Sequence, residues 1–226
     1  MKFACISDTH GFHERLTDRI IQENPDVLIH AGDQTMRGYD SEVRNFYDWL
    51  KYLPVKYKVF IAGNHDFFYE NHPRIIQQYL KEKFENELNN TVFYLENNAC
   101  IIDGVVIHGS PITPWYHDWA FNRARGEQIK RYWDNIPNDV DILVTHGPPH
   151  GILDLTLTTQ ENVGCEDLLE RVKELNNYNL RHHVFGHIHE EAGMKRIGNI
   201  CFVNASSLDF NYKPVCDPIC FHLVKN

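Results

Sequence analysis

Five short stretches of this 226-residue chain set acids, an amide and imidazoles beside glycine or directly after apolar runs. They are Asp8-Thr9-His10, Gly32-Asp33, Gly63-Asn64-His65-Asp66, His146-Gly147 and Gly186-His187-Ile188-His189. Taken singly, each is an ordinary turn, because Gly, Asn and Asp tolerate the backbone angles that end a strand. Taken together they pool two carboxylates (Asp8, Asp33), one amide (Asn64) and four imidazoles (His10, His146, His187, His189). That is enough for two divalent metal ions, with Asp33 as the natural bridge. Mixed oxygen and nitrogen donors suit Mn, Fe, Zn or Ni better than Ca or Mg, and a set without thiolate is not that of a structural zinc site. Two such ions ~3.5–4 Å apart acidify and orient a trapped water and stabilise charge on a transferring phosphoryl group. The expected chemistry is therefore hydrolysis by a metal-held hydroxide, with no covalent intermediate. His65, next to Asn64, is then free to act as the catalytic imidazole at the leaving oxygen. Asp66 is expected either to orient His65 or to be a solvated loop acid.

The elements that must position these groups follow from hydrophobic period. Apolar runs at 2–7, 26–31, 55–61, 141–145 and 183–185 read as buried strands, and each leads into one of the five stretches. Between them, 12–24, 40–52, 73–84, 124–134 and 165–175 carry helical stripes such as Val43, Phe46, Tyr47 and Leu50. Strand, helix, strand repeated implies βαβ units and a parallel sheet. Short strands at 92–95, 99–102 and 104–108, a hairpin at 194–197 and 200–203 turned by Gly198-Asn199, and a closing strand at 219–224 add antiparallel pairing. The stretch from His108 to Phe121, with Trp115 and Trp119, reads as a long loop carrying substrate contacts. No repeat, linker or boundary divides the chain, so residues 1–226 are expected to form a single domain.

Bulk properties exclude several classes. With 42% apolar and 23% charged residues the chain has the composition of a globular protein, neither disordered nor fibrous. Its 31 acids against 22 Lys and Arg give a formal charge of −9, and no basic cluster marks a face for long nucleic acid. No stretch reaches the ~20 apolar residues that span a bilayer, so no membrane partner is expected. Residues 1–7 run straight into Asp8 and His10, which cleavage of a leader would remove. Six cysteines show no C-x-x-C pair, pointing to a reducing, cytoplasmic setting.

In order and context the five stretches resemble the blocks of the calcineurin-like metallophosphoesterases. The wider phrases Trp119-Ala120-Phe121-Asn122, Asp141 to Pro149 and His183 to Glu190 are similar to those of a narrower branch, the metallophosphoesterase-domain (MPPED-like) cyclic nucleotide phosphodiesterases. The resemblance implies an α/β four-layer sandwich, two mixed β-sheets packed face to face and flanked by helices. It also implies one metal on Asp8, His10, Asp33 and His189 and the other on Asp33, Asn64, His146 and His187, with a small phosphodiester or nucleotide as substrate. Some vertebrate members of the branch lack a metal-binding His in the last block, whereas both His187 and His189 stand here. Alternatives from the same fold are a phosphomonoesterase or protein phosphatase, or a non-catalytic metal-binding scaffold for protein partners. Cys165 and Arg171 reproduce the C-x5-R spacing of cysteine phosphatases, but the acids Glu166, Asp167 and Glu170 between them would repel phosphate, and packing is the better account. His30, His108 and His150 are expected to be supporting or solvated, and Asn122 and Arg123 either substrate contacts or surface residues.

Overall fold

The computed structural model describes residues 1–213 and 215–224. Along the chain run β1 (Lys2–Ile6), α1 (Thr17–Glu23), β2 (Val27–Ala31), α2 (Asp40–Tyr52), β3 (Tyr57–Ile61), α3 (Phe67–Asn71), α4 (Pro73–Phe84) and β4 (Val92–Tyr94). Then come β5 (Asn98–Ile102), β6 (Val105–Ser110), β7 (Thr113–Pro114), β8 (Asn122–Arg123), α5 (Glu127–Asp134), β9 (Ile142–Thr145) and α6 (Glu166–Leu175). The last strands are β10 (His182–Phe185), β11 (Gly193–Ile197), β12 (Ile200–Asn204) and β13 (Ile219–His222). One sheet has the order β13-β1-β2-β3-β4 and a second has β11-β12-β10-β9-β6-β5. In each the central pairs are parallel, while β13, β11 and β5 join antiparallel at the edges.

Alternation along the strands builds the layers, because successive side chains leave opposite faces of a sheet. Phe3, Cys5, Val27, Ile29, Val59 and Ile61 of the first sheet meet Ile107, Ile142, Val144, Val184 and Val203 of the second in one apolar layer. The intervening residues Ala4, Ile6, Leu28 and Phe60, and likewise Leu143, Phe185 and Phe202, face outward into a cluster with the helices. There α2 presents Val43, Phe46, Tyr47 and Leu50, α4 presents Ile76, Leu80 and Phe84, and α5 and α6 add Ile129, Trp133, Leu168 and Val172. At ~1.5–3 kcal/mol per buried aliphatic or aromatic side chain, these layers hold the sheets together and leave the loops free for polar work.

The 12–24 helix is broken: a 3₁₀ turn over His13–Leu16 precedes α1, which ends at Asn24 in the left-handed region. Strand β6 continues to Ser110, so His108 lies in the sheet, not in the loop, which begins at Pro111. That loop is pinned by the two-residue pairing of β7 with β8. The short α3, directly after the Gly63 stretch, has too few residues to register as a periodic pattern. All six cysteines are free. Among the described residues no helix is long and apolar enough to cross a membrane.

Candidate metal centre

Strands β1, β2, β3, β9 and β10 end on the same side of the sandwich, where loops from parallel strands converge. The β1 and β2 loops stay paired beyond their strands, through Asp8 N–H to Gly32 O (2.9 Å) and His10 N–H to Asp33 O (3.0 Å). Asp8, His10, Asp33 and His187 all adopt left-handed backbone angles, with φ of 53°, 42°, 57° and 72°. Non-glycine residues hold such angles only where the surroundings over-determine them, and the bend turns their side chains inward.

Ligand atoms approach within 4.8 Å of one another in three sets: Asp8, His10 and His189; His10, Asp33 and His65; and Asp8, Asp33 and His146. Asp8, His10 and Asp33 each belong to two of the sets, and Asp33 lies among three imidazoles. Its Oδ2 lies 3.4 Å from His146 Nε2, 3.7 Å from His10 Nε2 and 3.9 Å from His65 Nε2. Asn64 Oδ1 stands 2.8 Å from His146 Nε2, and His189 Nε2 is 3.5 Å from Asp8 Oδ1. His187 falls outside the three sets; its ring is 5.0 Å from that of His146, and its backbone N–H donates to both Asp8 oxygens (2.9 and 3.1 Å). Seven of the eight residues singled out in the sequence thus meet directly, with His187 at the margin.

The donor chemistry fits divalent cations. The set is oxygen and imidazole, and His10 Nε2 is buried without a hydrogen-bond partner while aimed at Asp33. Two glycines keep the cradle open: a Cβ on Gly186 would overlap the Asp8 carboxylate, and one on Gly63 would overlap Asp33 and come within 2.7 Å of His146 Cε1. Electrostatics agrees with a site built for cations. Burial would raise the Asp8 carboxyl, but the His189 hydrogen bond and the charges of His189, His146 and His10 outweigh it and hold it well below the usual range. Asp33 is lowered likewise, against burial, by His146, His65 and His10. Burial disfavours charge on His146 and His189 too, yet Asp33 acting on the first and Asp8 on the second raise each to about 9.

His65 and Asp66 divide differently from expectation. His65 Nδ1–H donates to the Met36 carbonyl (2.8 Å), which leaves Nε2 facing the centre, and its ring lies 4.3 Å from that of Trp119. Asp66 neither orients His65 nor faces solvent. It is fully buried and accepts from the N–H groups of Gly63 (2.7 Å), Asp33 (2.9 Å) and Thr35 (3.0 Å) and from the Thr35 hydroxyl (2.7 Å). One carboxylate ties the β2 and β3 loops together; burial and the nearby Asp33 charge push it up to about 7.

Other groups were passed over in the sequence. Ser206 Oγ–H donates to Asp8 Oδ2 (3.0 Å) from the polar end of β12, a strand end made of Ser and Asn in place of Asp and His. The Asp209 carbonyl accepts from His189 Nδ1–H (3.1 Å), and the Ala31 carbonyl from His146 Nδ1–H (3.0 Å). Such partners fix the tautomer that leaves Nε2 free for a metal. His30 and His183 pair with the Thr9 and Thr145 hydroxyls behind the centre, at 2.9 and 2.8 Å. His108 is buried in β6, and His150 stands away from the centre, beside Asp154 and Glu166. Asn122 spends its amide on Tyr116 N–H and Thr113, and Arg123 pairs with Glu70 (3.1 Å) and Tyr132 (3.2 Å). Cys165 caps α6, its Sγ accepting from Leu168 N–H, while Arg171 bonds the Ile136 carbonyl.

A model of the calcineurin-like phosphoesterase family matches residues 1–191. Metallophosphoesterase domain-containing protein 1 of Homo sapiens is 41% identical over 237 aligned residues, covering 98% of this chain and 71% of that protein. A UPF0046 protein of Caenorhabditis elegans is 36% identical, covering 100% of this chain and 76% of its own. One solved structure superposes with a TM-score of 0.68 at 16% identity, covering 93% of this chain and 91% of the other. The crystal structure of TT1561 of Thermus thermophilus gives 0.61 at 13%, covering 90% and 88%, so these two share the fold. The two-sheet architecture is upheld, as are the family resemblance read from the five stretches and the likeness to metallophosphoesterase-domain proteins read from the wider phrases. The chain belongs to the calcineurin-like phosphoesterases, metal-dependent hydrolases of phosphoric esters that work with two divalent ions.

Proposed function

We propose that residues 1–226 form one cytoplasmic catalytic unit, a phosphodiesterase acting on small or cyclic nucleotides. The observation that carries the reading is the convergence of Asp8, His10, Asp33, Asn64, His146 and His189 around one point, with His187 at its edge and His65 Nε2 facing it. Asp8, His10, Asp33 and His189 would hold one cation, and Asp33, Asn64, His146 and His187 the other. When bound, the pair supplies Lewis acidity at the phosphoryl oxygens and acidifies water. The remaining work belongs to the chain. The Met36 carbonyl keeps one proton on His65 Nδ1, so the form that acts as acid is the imidazolium, whose second proton passes from Nε2 to the departing alkoxide and leaves the neutral Nδ1–H ring. Backbone N–H of His65 donates to Asp33 Oδ1 (2.8 Å), which ties the position of the acid to that of the bridging carboxylate.

Preference for a diester is supported by charge. Arg123, beside the Trp119 loop, is consumed by Glu70 and Tyr132, so a monoanionic diester is matched better than a dianionic monoester or a phosphoprotein. The free cysteines support the reducing location. The test is turnover of 2′,3′-cyclic and 3′,5′-cyclic nucleotides, with phosphomonoesters alongside, by protein loaded with Mn, Fe, Zn or Ni and assayed for metal in the same sample. Loaded protein that turns over cyclic nucleotides faster than monoesters supports the reading; loaded protein inactive on every ester refutes it, and a faster monoester rate refutes the diester preference.

A further inference from the structure

Beside the metal ligands the centre is walled by rings. Trp119, His65, His10 and Tyr212 follow one another with centroid separations of 4.3, 4.6 and 5.0 Å, and Tyr212 also touches the His189 ring at 5.4 Å. Trp119 thus closes one end of the imidazole row and Tyr212 the other. Both are partly open to solvent, Tyr212 by 39%, so each has surface left to meet a ligand.

Tyr212 is held where a side chain of its size is disfavoured. Its φ is 60°, a left-handed angle that a plain turn fills with Gly or Asn. The turn is locked by Asp209, whose Oδ1 accepts from the N–H groups of Asn211 (2.8 Å) and Lys213 (2.9 Å), while its carbonyl accepts from Tyr212 N–H (2.9 Å). The same Asp209 carbonyl orients His189, so the tyrosine ring and a candidate metal ligand are set by one backbone atom. On the other side, the Trp119 loop carries left-handed angles at His117, Asp118 and Phe121 and is anchored by Ala120 N–H to the Asn64 carbonyl (3.1 Å). Both aromatic side chains are therefore fixed relative to the centre by bonds to the residues that build it.

Resting on the phosphodiesterase reading, we infer that Trp119 and Tyr212 are specificity-determining residues that receive the flat base of a nucleoside phosphoester. Two aromatic walls favour a neutral planar group over a basic peptide, and Arg123 beside Trp119 is already taken up by Glu70 and Tyr132. Stacking of one base on an aromatic side chain is worth ~1–3 kcal/mol, or roughly 5- to 150-fold in affinity.

The test compares a 2′,3′-cyclic nucleotide with the 2′,3′-cyclic phosphate of base-free ribose, in the wild-type chain and in Trp119→Ala, Tyr212→Ala and Tyr212→Phe. The wild type is expected to favour the base-bearing ester in kcat/KM, and each alanine variant to lower that ratio roughly 10-fold through KM, with Tyr212→Phe keeping it. Calorimetric binding of a nucleoside monophosphate against inorganic phosphate should show the same loss. If the wild type hydrolyses neither ester, the phosphodiesterase reading fails. If it hydrolyses both and the ratio is the same in all four proteins, the inference alone fails. An equal fall of kcat on both esters assigns the rings a structural role and overturns it as well.

Discussion

The two sheets contribute to the centre unequally. Loops of the first supply both carboxylates, the amide, His10 and His65, whereas loops of the second supply only imidazoles, His146, His187 and His189. The first half is also braced from within, by the β1–β2 loop pairing and by Asp66 across the β2 and β3 loops. The second half is braced against the first: Asp8 accepts from His187 N–H and Ser206, and His146 Nδ1–H donates to Ala31 O. One sheet therefore carries the negative charge that would attract a cation, and the other offers imidazoles alone.

That asymmetry can be broken from either side. The largest effect is expected from Asp33→Ala, which removes the carboxylate nearest three imidazoles; steady-state turnover should fall to background, further than in His187→Ala at the margin of the second sheet. Next comes His65→Ala. It should keep its metal content, read by elemental analysis, while kcat falls ~10²–10⁴-fold, since only the proton at the leaving oxygen is lost. Full activity in this variant would contradict the role given to His65.

The pH dependence separates, by sign, the imidazoles of the centre from those buried behind it. In metal-free protein His146 and His189 are raised to about 9, so their stabilising contribution is complete below the unfolded value of 6.5 and is lost as pH climbs through 9. His30 and His183, lowered by burial to about 3, contribute above 6.5, and that contribution disappears as pH falls below it. Thermal melts of the metal-free chain should therefore peak near pH 6.5, and metal uptake at pH 7 should release protons. The smallest effect is expected from Ser206→Ala, which removes one hydrogen bond to Asp8; metal affinity should weaken ~10–100-fold in equilibrium titration, with the fold intact.

How far the sequence carried is clearest at the Gly63 stretch. Strand β3 and the strand-end position of Asn64 and His65 are visible in the run Val59 to Ala62, because a buried strand must be apolar and must end where polar residues begin. Helices α2 and α4 are equally legible, and both match the sequence bounds of 40–52 and 73–84. Asp66 was not legible. Its partners are backbone N–H groups of Asp33, Thr35 and Gly63, which carry no side-chain signature, and its neighbour in sequence, His65, drew the wrong pairing. Tyr212 and Ser206 were missed for a related reason: they follow β12, whose end offers Ser and Asn, and their contacts with β1-side residues span about two hundred positions. The 3₁₀ turn before α1 escaped because Leu16 and Ile20 keep a helical spacing across it.

The central claim is that both halves meet on Asp33 to hold two ions, and counting metal per chain in parallel samples of wild type, His146→Ala and Asp33→Ala tests it most directly. The expected counts are two, one and none. A wild type that binds a single ion, or an Asp33→Ala chain that keeps both, would contradict the bridging arrangement.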